Sequence, residues 1–106
     1  MKSRTHTLIA SYLVLAATAP AIADGPLEIT QKGRRFAPGS TDIAAGQTLT
    51  FNNRDEFIHQ IYVEKIGFDS PEQKPGQNVQ VKFADKGTFE VRCHIHPKMK
   101  LVVRVN

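Results

Sequence analysis

Seven consecutive residues near the C-terminal end, Cys93-His94-Ile95-His96-Pro97-Lys98-Met99, hold a thiol, two imidazoles and a thioether. Cys93, His96 and Met99 recur at intervals of three, so one tight turn brings all three donors to a single point. Cys93 is the only cysteine in the 106 residues. In an exported chain it has no internal disulfide partner, which leaves a free thiol, an intermolecular bridge or a metal ligand. Soft sulfur donors combined with imidazole select copper. Two His and one Cys in a trigonal plane, with a weak axial Met, describe a type 1 (blue) copper site of the electron-transfer kind. Zinc suits the set less well, because a thioether is a poor zinc ligand. The second imidazole has to come from elsewhere in the chain, and His59 is the candidate that a strand would turn inward.

The elements that must position these donors read as strands. Apolar residues alternate at period two in Leu27-x-Ile29, Leu49-x-Phe51, Ile61-x-Val63, Val79-x-Val81-x-Phe83, Phe89-x-Val91 and Leu101-x-Val103-x-Val105. Turn signals separate them at Pro38-Gly39-Ser40, Ala45-Gly46, Asn52-Asn53, Pro75-Gly76 and Lys86-Gly87. Residues 65–76, interrupted by Gly67, Pro71, Pro75 and Gly76, read as a long connection with a turn of helix at most. There is no helical apolar stripe, no internal repeat and no linker between two domains. The expectation is an all-β, antiparallel β-sandwich of about seven or eight strands. Strand parity then assigns faces. His59 is in phase with Ile61 and Val63, Cys93 with Phe89 and Val91, and Met99 with Leu101 and Val103, so all three point inward. His94 leaves the opposite face with Glu90 and Arg92, which makes it a surface residue rather than a ligand. His96 sits in the loop between two strands.

The first residues read as a leader. Lys2 and Arg4 precede the apolar run from Leu8 to Ala17, and Ala21-Ile22-Ala23 is the small-x-small pattern of a signal-peptidase site. The apolar run falls short of the roughly 20 residues of a membrane span. The expectation is a signal peptide over 1–23, export to the periplasm, and a single domain over 24–106 without a membrane anchor. A domain of this size is close to the limit at which a hydrophobic core suffices alone, and a bound metal would help it. Residues 24–106 carry 12 basic and 10 acidic side chains. Within them, residues 82–106 hold Lys82, Lys86, Arg92, Lys98, Lys100 and Arg104 against Asp85 and Glu90. This excess is too dispersed for nucleic acid, which calls for a dense basic stripe. A mildly acidic protein fits better as a partner.

Beyond the loop, Phe36-Ala37-Pro38 with Ile43, then Ala45-Gly46-Gln47-Thr48-Leu49-Thr50-Phe51, Asn53-Arg54-Asp55 leading to His59, and Phe83-x3-Gly87-x-Phe89-x-Val91-x-Cys93 span nearly all of 27–105. In these residues the chain resembles the cupredoxins, in particular the amicyanin–plastocyanin–pseudoazurin group. The resemblance implies a Greek-key sandwich and one type 1 copper ion, with His59, Cys93 and His96 as equatorial ligands and Met99 as the axial one. It also implies an electron carrier rather than an enzyme, since a fully ligated copper leaves no position for substrate. The expected partner is a redox protein, a c-type cytochrome or a dehydrogenase, that docks transiently on a monomer near His96, Ile95, Pro97 and Phe57–Ile58. A copper-buffering or copper-resistance role is the alternative. The sequence departs from the group at Gln60, where Asn is usual, at His94, where a small or hydroxylated residue is usual, and at Leu101, where Gly often stands. The first two adjoin the ligands and so affect colour and potential.

Overall fold

In a computed structural model, which describes residues 25–106, the period-two alternation becomes strands. Nine are formed: β1 (Glu28–Gln31), β2 (Phe36–Ala37), β3 (Ser40–Ile43), β4 (Thr48–Asn53), β5 (Ile61–Val63), β6 (Phe68–Asp69), β7 (Asn78–Lys82), β8 (Gly87–Cys93) and β9 (Lys100–Val105). They make two sheets, ordered β2-β1-β4-β7 and β3-β9-β8-β5-β6. The expected leader over 1–23 lies outside the described residues. Among those described, no helix is long and apolar enough to cross a membrane.

Each strand turns its apolar set into the space between the sheets. Ile29, Leu49, Phe51 and Val81 from one layer meet Ile43, Ile61, Val63, Phe89, Val91, Leu101, Val103 and Val105 from the other. Burial of each such side chain contributes about 1.5–3 kcal/mol. Phe83 anchors the end remote from the ligand loop and packs 5.5 Å, ring to ring, from Phe89.

The sandwich differs from an all-antiparallel one in two pairings. β1 runs parallel to β4, and β3 parallel to β9. These neighbours are far apart in sequence, so no hairpin forces them to reverse direction. β2 pairs back onto β1, whereas β3, beginning three residues later, joins the edge of the other sheet. Asp42 and Arg104 face one another across that parallel seam and pair at 2.7 Å. β2, β3 and β6 carry too few alternating apolar residues to stand out in the sequence. The expected break at Asn52-Asn53 is not a turn: β4 continues through Asn53, whose side chain is buried. The long connection holds one 3-10 turn at Glu64–Ile66, closed by Gly67 in the left-handed region (φ 65°), before the short β6.

Candidate metal centre

At one end of the sandwich the inward positions change from apolar to polar. Along β1 the buried residues run from Ile29 to Gln31, and along β4 from Phe51 to Asn53; the two strands are in register with Ile29 opposite Phe51 and Gln31 opposite Asn53. In the other sheet Cys93 closes β8 opposite Ile61, just after His59. Buried polar groups need partners, and most here find one another, Gln31 Oε1 being left without one. Gln31 donates to Oε1 of Gln73 at 3.0 Å, and Gln73 donates to the carbonyls of Phe51 and Gln77. Asn53 donates to the carbonyls of Phe57 and Gln73 and accepts from the Asp55 N–H. His59 and Gln73 exchange both backbone hydrogen bonds, at 3.0 and 2.7 Å. The backbone of His59 is therefore held against Gln73 through both its N–H and its carbonyl.

His59 is fully buried, and its Nε2 lies 3.0 Å from Oδ2 of Asp55. The same carboxylate accepts the backbone N–H groups of Gly33 (3.1 Å) and Arg34 (2.8 Å) at the tip of the β1–β2 hairpin. Burial alone would raise the Asp55 pKa, but the hydrogen bonds from Arg34, His59 and Gly33 outweigh it and hold the carboxyl below its usual range. Burial pushes the His59 pKa down, more than Asp55 draws it up, with His96 adding to the depression. His59 is thus a neutral imidazole beside a carboxylate. Its Nε2 must donate to Asp55, so the Nδ1 lone pair is free, and Nδ1 stands 3.7 Å from Cys93 Sγ.

The Cys93 thiol is 1 % exposed and accepts the Gln60 N–H at 3.4 Å, while His94 N–H donates to the Gln60 carbonyl at 2.9 Å. The Gln60 side chain turns away, to the Ser70 carbonyl. Met99 N–H closes a tight turn onto the His96 carbonyl at 3.0 Å, and the Met99 side chain is 2 % exposed. The His96 ring stands 5.0 Å from the His59 ring and 5.9 Å from Phe57. Its Nε2 is buried and has no hydrogen-bond partner. No three His, Cys, Asp or Glu side chains among the described residues converge as a finished cluster. What stands together is two imidazoles, one thiol and a buried thioether at one end of the core. That chemistry fits a copper ion.

Parity therefore orients His59, Cys93 and Met99 inward as the sequence indicates, and sends His94 outward. His94 stacks on Tyr62 (centroids 4.0 Å apart, 12° between planes) and pairs with Asp69 at 2.7 Å. Asp55, Gln31, Asn53 and Gln73, which hold the site, were not identified as such by sequence. Gln31 and Asn53 did carry a signal, being polar residues in phase with Ile29 and Phe51.

Residues 5–103 match the family profile described as a cupredoxin-like domain. The chain belongs to that family. Amicyanin-alpha of Methylorubrum extorquens is 31% identical over 104 residues, covering 92% of this chain and 84% of that protein. Chloroplastic plastocyanin of Pisum sativum is 30% identical over 109 residues, covering 91% of this chain, which spans 64% of the pea protein. Among solved structures, a purple cupredoxin from Nitrosopumilus maritimus superposes with a TM-score of 0.71 at 22% identity, over 76% of this chain and 100% of that one, a likeness of fold. The all-β sandwich of this cupredoxin is thus the family's.

Proposed function

We propose that this cupredoxin carries single electrons between redox proteins through one type 1 copper ion held by His59, Cys93, His96 and Met99. The observation that carries the reading is the pairing of a tautomer-fixed His59 Nδ1 with the buried Cys93 thiol, 3.7 Å apart, beside an unpartnered His96 nitrogen. Copper supplies the one-electron couple when bound. The chain's own residues supply constraint and a route outward. Asp55 and Gln73 hold His59, and the Gln60 N–H stabilises a thiolate on Cys93. Ligands held by the fold in this way keep reorganisation small. Met99 closes the inner side against water. His96, half-buried beside exposed Ile95 and Phe57, connects the centre to the surface.

Similarity to amicyanin and plastocyanin supports the carrier reading over an enzymatic one. The leader-like residues 1–23 support export to the periplasm, which N-terminal sequencing of fractionated protein tests; a chain still beginning at Met1 in that fraction contradicts it. Voltammetry of copper-loaded protein tests the carrier role itself. A reversible one-electron wave with fast self-exchange is expected. Tight Cu(I) binding with sluggish oxidation would instead indicate a copper buffer.

A further inference from the structure

The sequence places its basic excess in residues 82–106, but the fold adds to it from the other end of the chain. The β1–β2 hairpin is a two-residue loop in which Lys32 and Arg35 exchange backbone hydrogen bonds of 3.1 and 3.2 Å. Both central residues are left-handed, Gly33 at φ 63° and Arg34 at φ 58°. Asp55 caps the two N–H groups and so fixes the hairpin tip at the His59 end of the sandwich. A surface concavity there runs from Arg34 and Arg35 to His96 and Lys98. Arg34, Arg35 and Lys98 are all exposed, and among the described residues none of the three has a carboxylate within ion-pairing distance. Arg92 and Arg104, by contrast, are paired with Glu90 and Asp42. Of the neighbouring acids, Asp55 is buried and turned to the backbone, while Glu56 beside Phe57 is exposed, which leaves the three cations in excess over one carboxylate.

These cations border an apolar surface. Phe57, Ile58 and Ile95 are 37%, 37% and 42% exposed, and the Arg34 guanidinium lies 4.4 Å from the centre of the Phe57 ring. Arg34 occupies a left-handed position that Gly or Asn takes with less strain. Its side chain is what that position contributes.

Resting on the carrier role, we propose that this face docks an acidic redox protein. Carboxylates on the partner pair with Arg34, Arg35 and Lys98, while an apolar surface around the partner's own redox centre packs on Ile95, Pro97 and Phe57 against His96. Three cations interleaved with apolar side chains are too few for nucleic acid. They do suit a small, transient redox interface whose charges steer encounter.

The test is stopped-flow oxidation of reduced, copper-loaded protein by an acidic c-type cytochrome and, in parallel, by a basic one, at low and high salt. Arg34→Gln/Lys98→Gln is compared with Lys82→Gln/Lys86→Gln, which removes the same charge. Lys86 precedes the end of β8 remote from Cys93, about 20 Å away at about 3.3 Å per residue. With the acidic cytochrome at low salt, the Arg34/Lys98 pair should lower the second-order rate about tenfold and the Lys82/Lys86 pair less than about twofold, the difference fading at high salt. With the basic cytochrome the Arg34/Lys98 pair should accelerate the reaction. Equal effects of the two pairs, with normal electron exchange, overturn this inference alone. So does Arg34/Lys98-dependent binding to anionic lipid vesicles without preference for the acidic cytochrome. Wild-type protein that exchanges electrons with neither cytochrome refutes the carrier role, and this inference with it.

Discussion

His59 and His96 serve the same candidate centre and are held in opposite ways. His59 lies in a buried, hydrogen-bonded floor, with Asp55 fixing its tautomer and Gln73 bonding both its N–H and its carbonyl. His96 lies on a loop tied by one backbone turn to Met99 and one hydrogen bond from Arg92 to the Pro97 carbonyl, with a ring nitrogen that nothing satisfies. The floor is a structural element that happens to offer a nitrogen. The loop leaves a buried nitrogen that the chain itself does not satisfy. Stability and metal binding should therefore separate between the two regions.

The sharpest break comes from Asp55→Ala. It strands the buried Nε2–H of His59 and the part-buried N–H groups of Gly33 and Arg34. The metal-free protein should lose about 3 kcal/mol in urea titration, since an orphaned buried group costs about 1–3 kcal/mol and one that water reaches costs less. Copper affinity should fall about 10–100-fold, as expected when the partner that orients a ligating His is lost. Stability within about 0.5 kcal/mol of wild type would mean that the floor is not what holds the hairpin and His59.

The two histidines themselves should differ next. In the metal-free protein His59→Ala opens a cavity and unpairs Asp55, costing about 2–3 kcal/mol. His96→Ala should change stability by less than about 0.5 kcal/mol. Both should impair copper loading. Equal destabilisation by the two would erase the distinction between floor and loop.

Acid should weaken the floor in two stages. The pKa of His59 is depressed on folding, so the unfolded chain binds its proton first; stability is complete above about pH 6.5 and declines as pH falls below that reference value. Asp55 is also depressed, so its contribution is present above about pH 3.9 and is lost as pH falls through its folded value. In urea titrations of metal-free protein, His59→Gln should flatten the upper stage and leave the lower. An unchanged upper stage would assign that titration elsewhere.

The smallest effect on copper binding belongs outside both regions. His94→Ala removes a stack on Tyr62 and an exposed contact with Asp69, worth about 0.5–1.5 kcal/mol. One copper per chain and the visible spectrum should survive it. Loss of the spectrum in His94→Ala, with retention in His96→Ala, would mean that β8 does not aim its last residues as described.

The loop was the more legible region in sequence, because its donors are contiguous and of rare types. Parity alone turned His59, Cys93 and Met99 inward and His94 outward, since a strand leaves each side chain only two directions. The floor was harder to read. Gln31, Asn53, Asp55 and Gln73 come from four separate segments, and a polar residue at an inward position does not name its partner. Gln60 shows the same limit: its departure from Asn was visible, but its backbone ties to Cys93 and His94, and its side-chain turn toward Ser70, were not. The two parallel pairings and the two-residue strands β2 and β6 depend on contacts distant in sequence, which short-range alternation does not encode. For the same reason the hairpin's Arg34 and Arg35 were not associated with Lys98.

The central claim, that Cys93 binds copper in a type 1 site, is tested most directly by titrating metal-free wild type and Cys93→Ser with Cu(II) and recording visible absorption. Wild type should saturate at one copper per chain with an intense thiolate-to-copper band, and Cys93→Ser should show none, because a hydroxyl oxygen lacks the sulfur orbital that gives rise to it. A band that persists in Cys93→Ser, or no visible band in loaded wild type, would contradict the assignment.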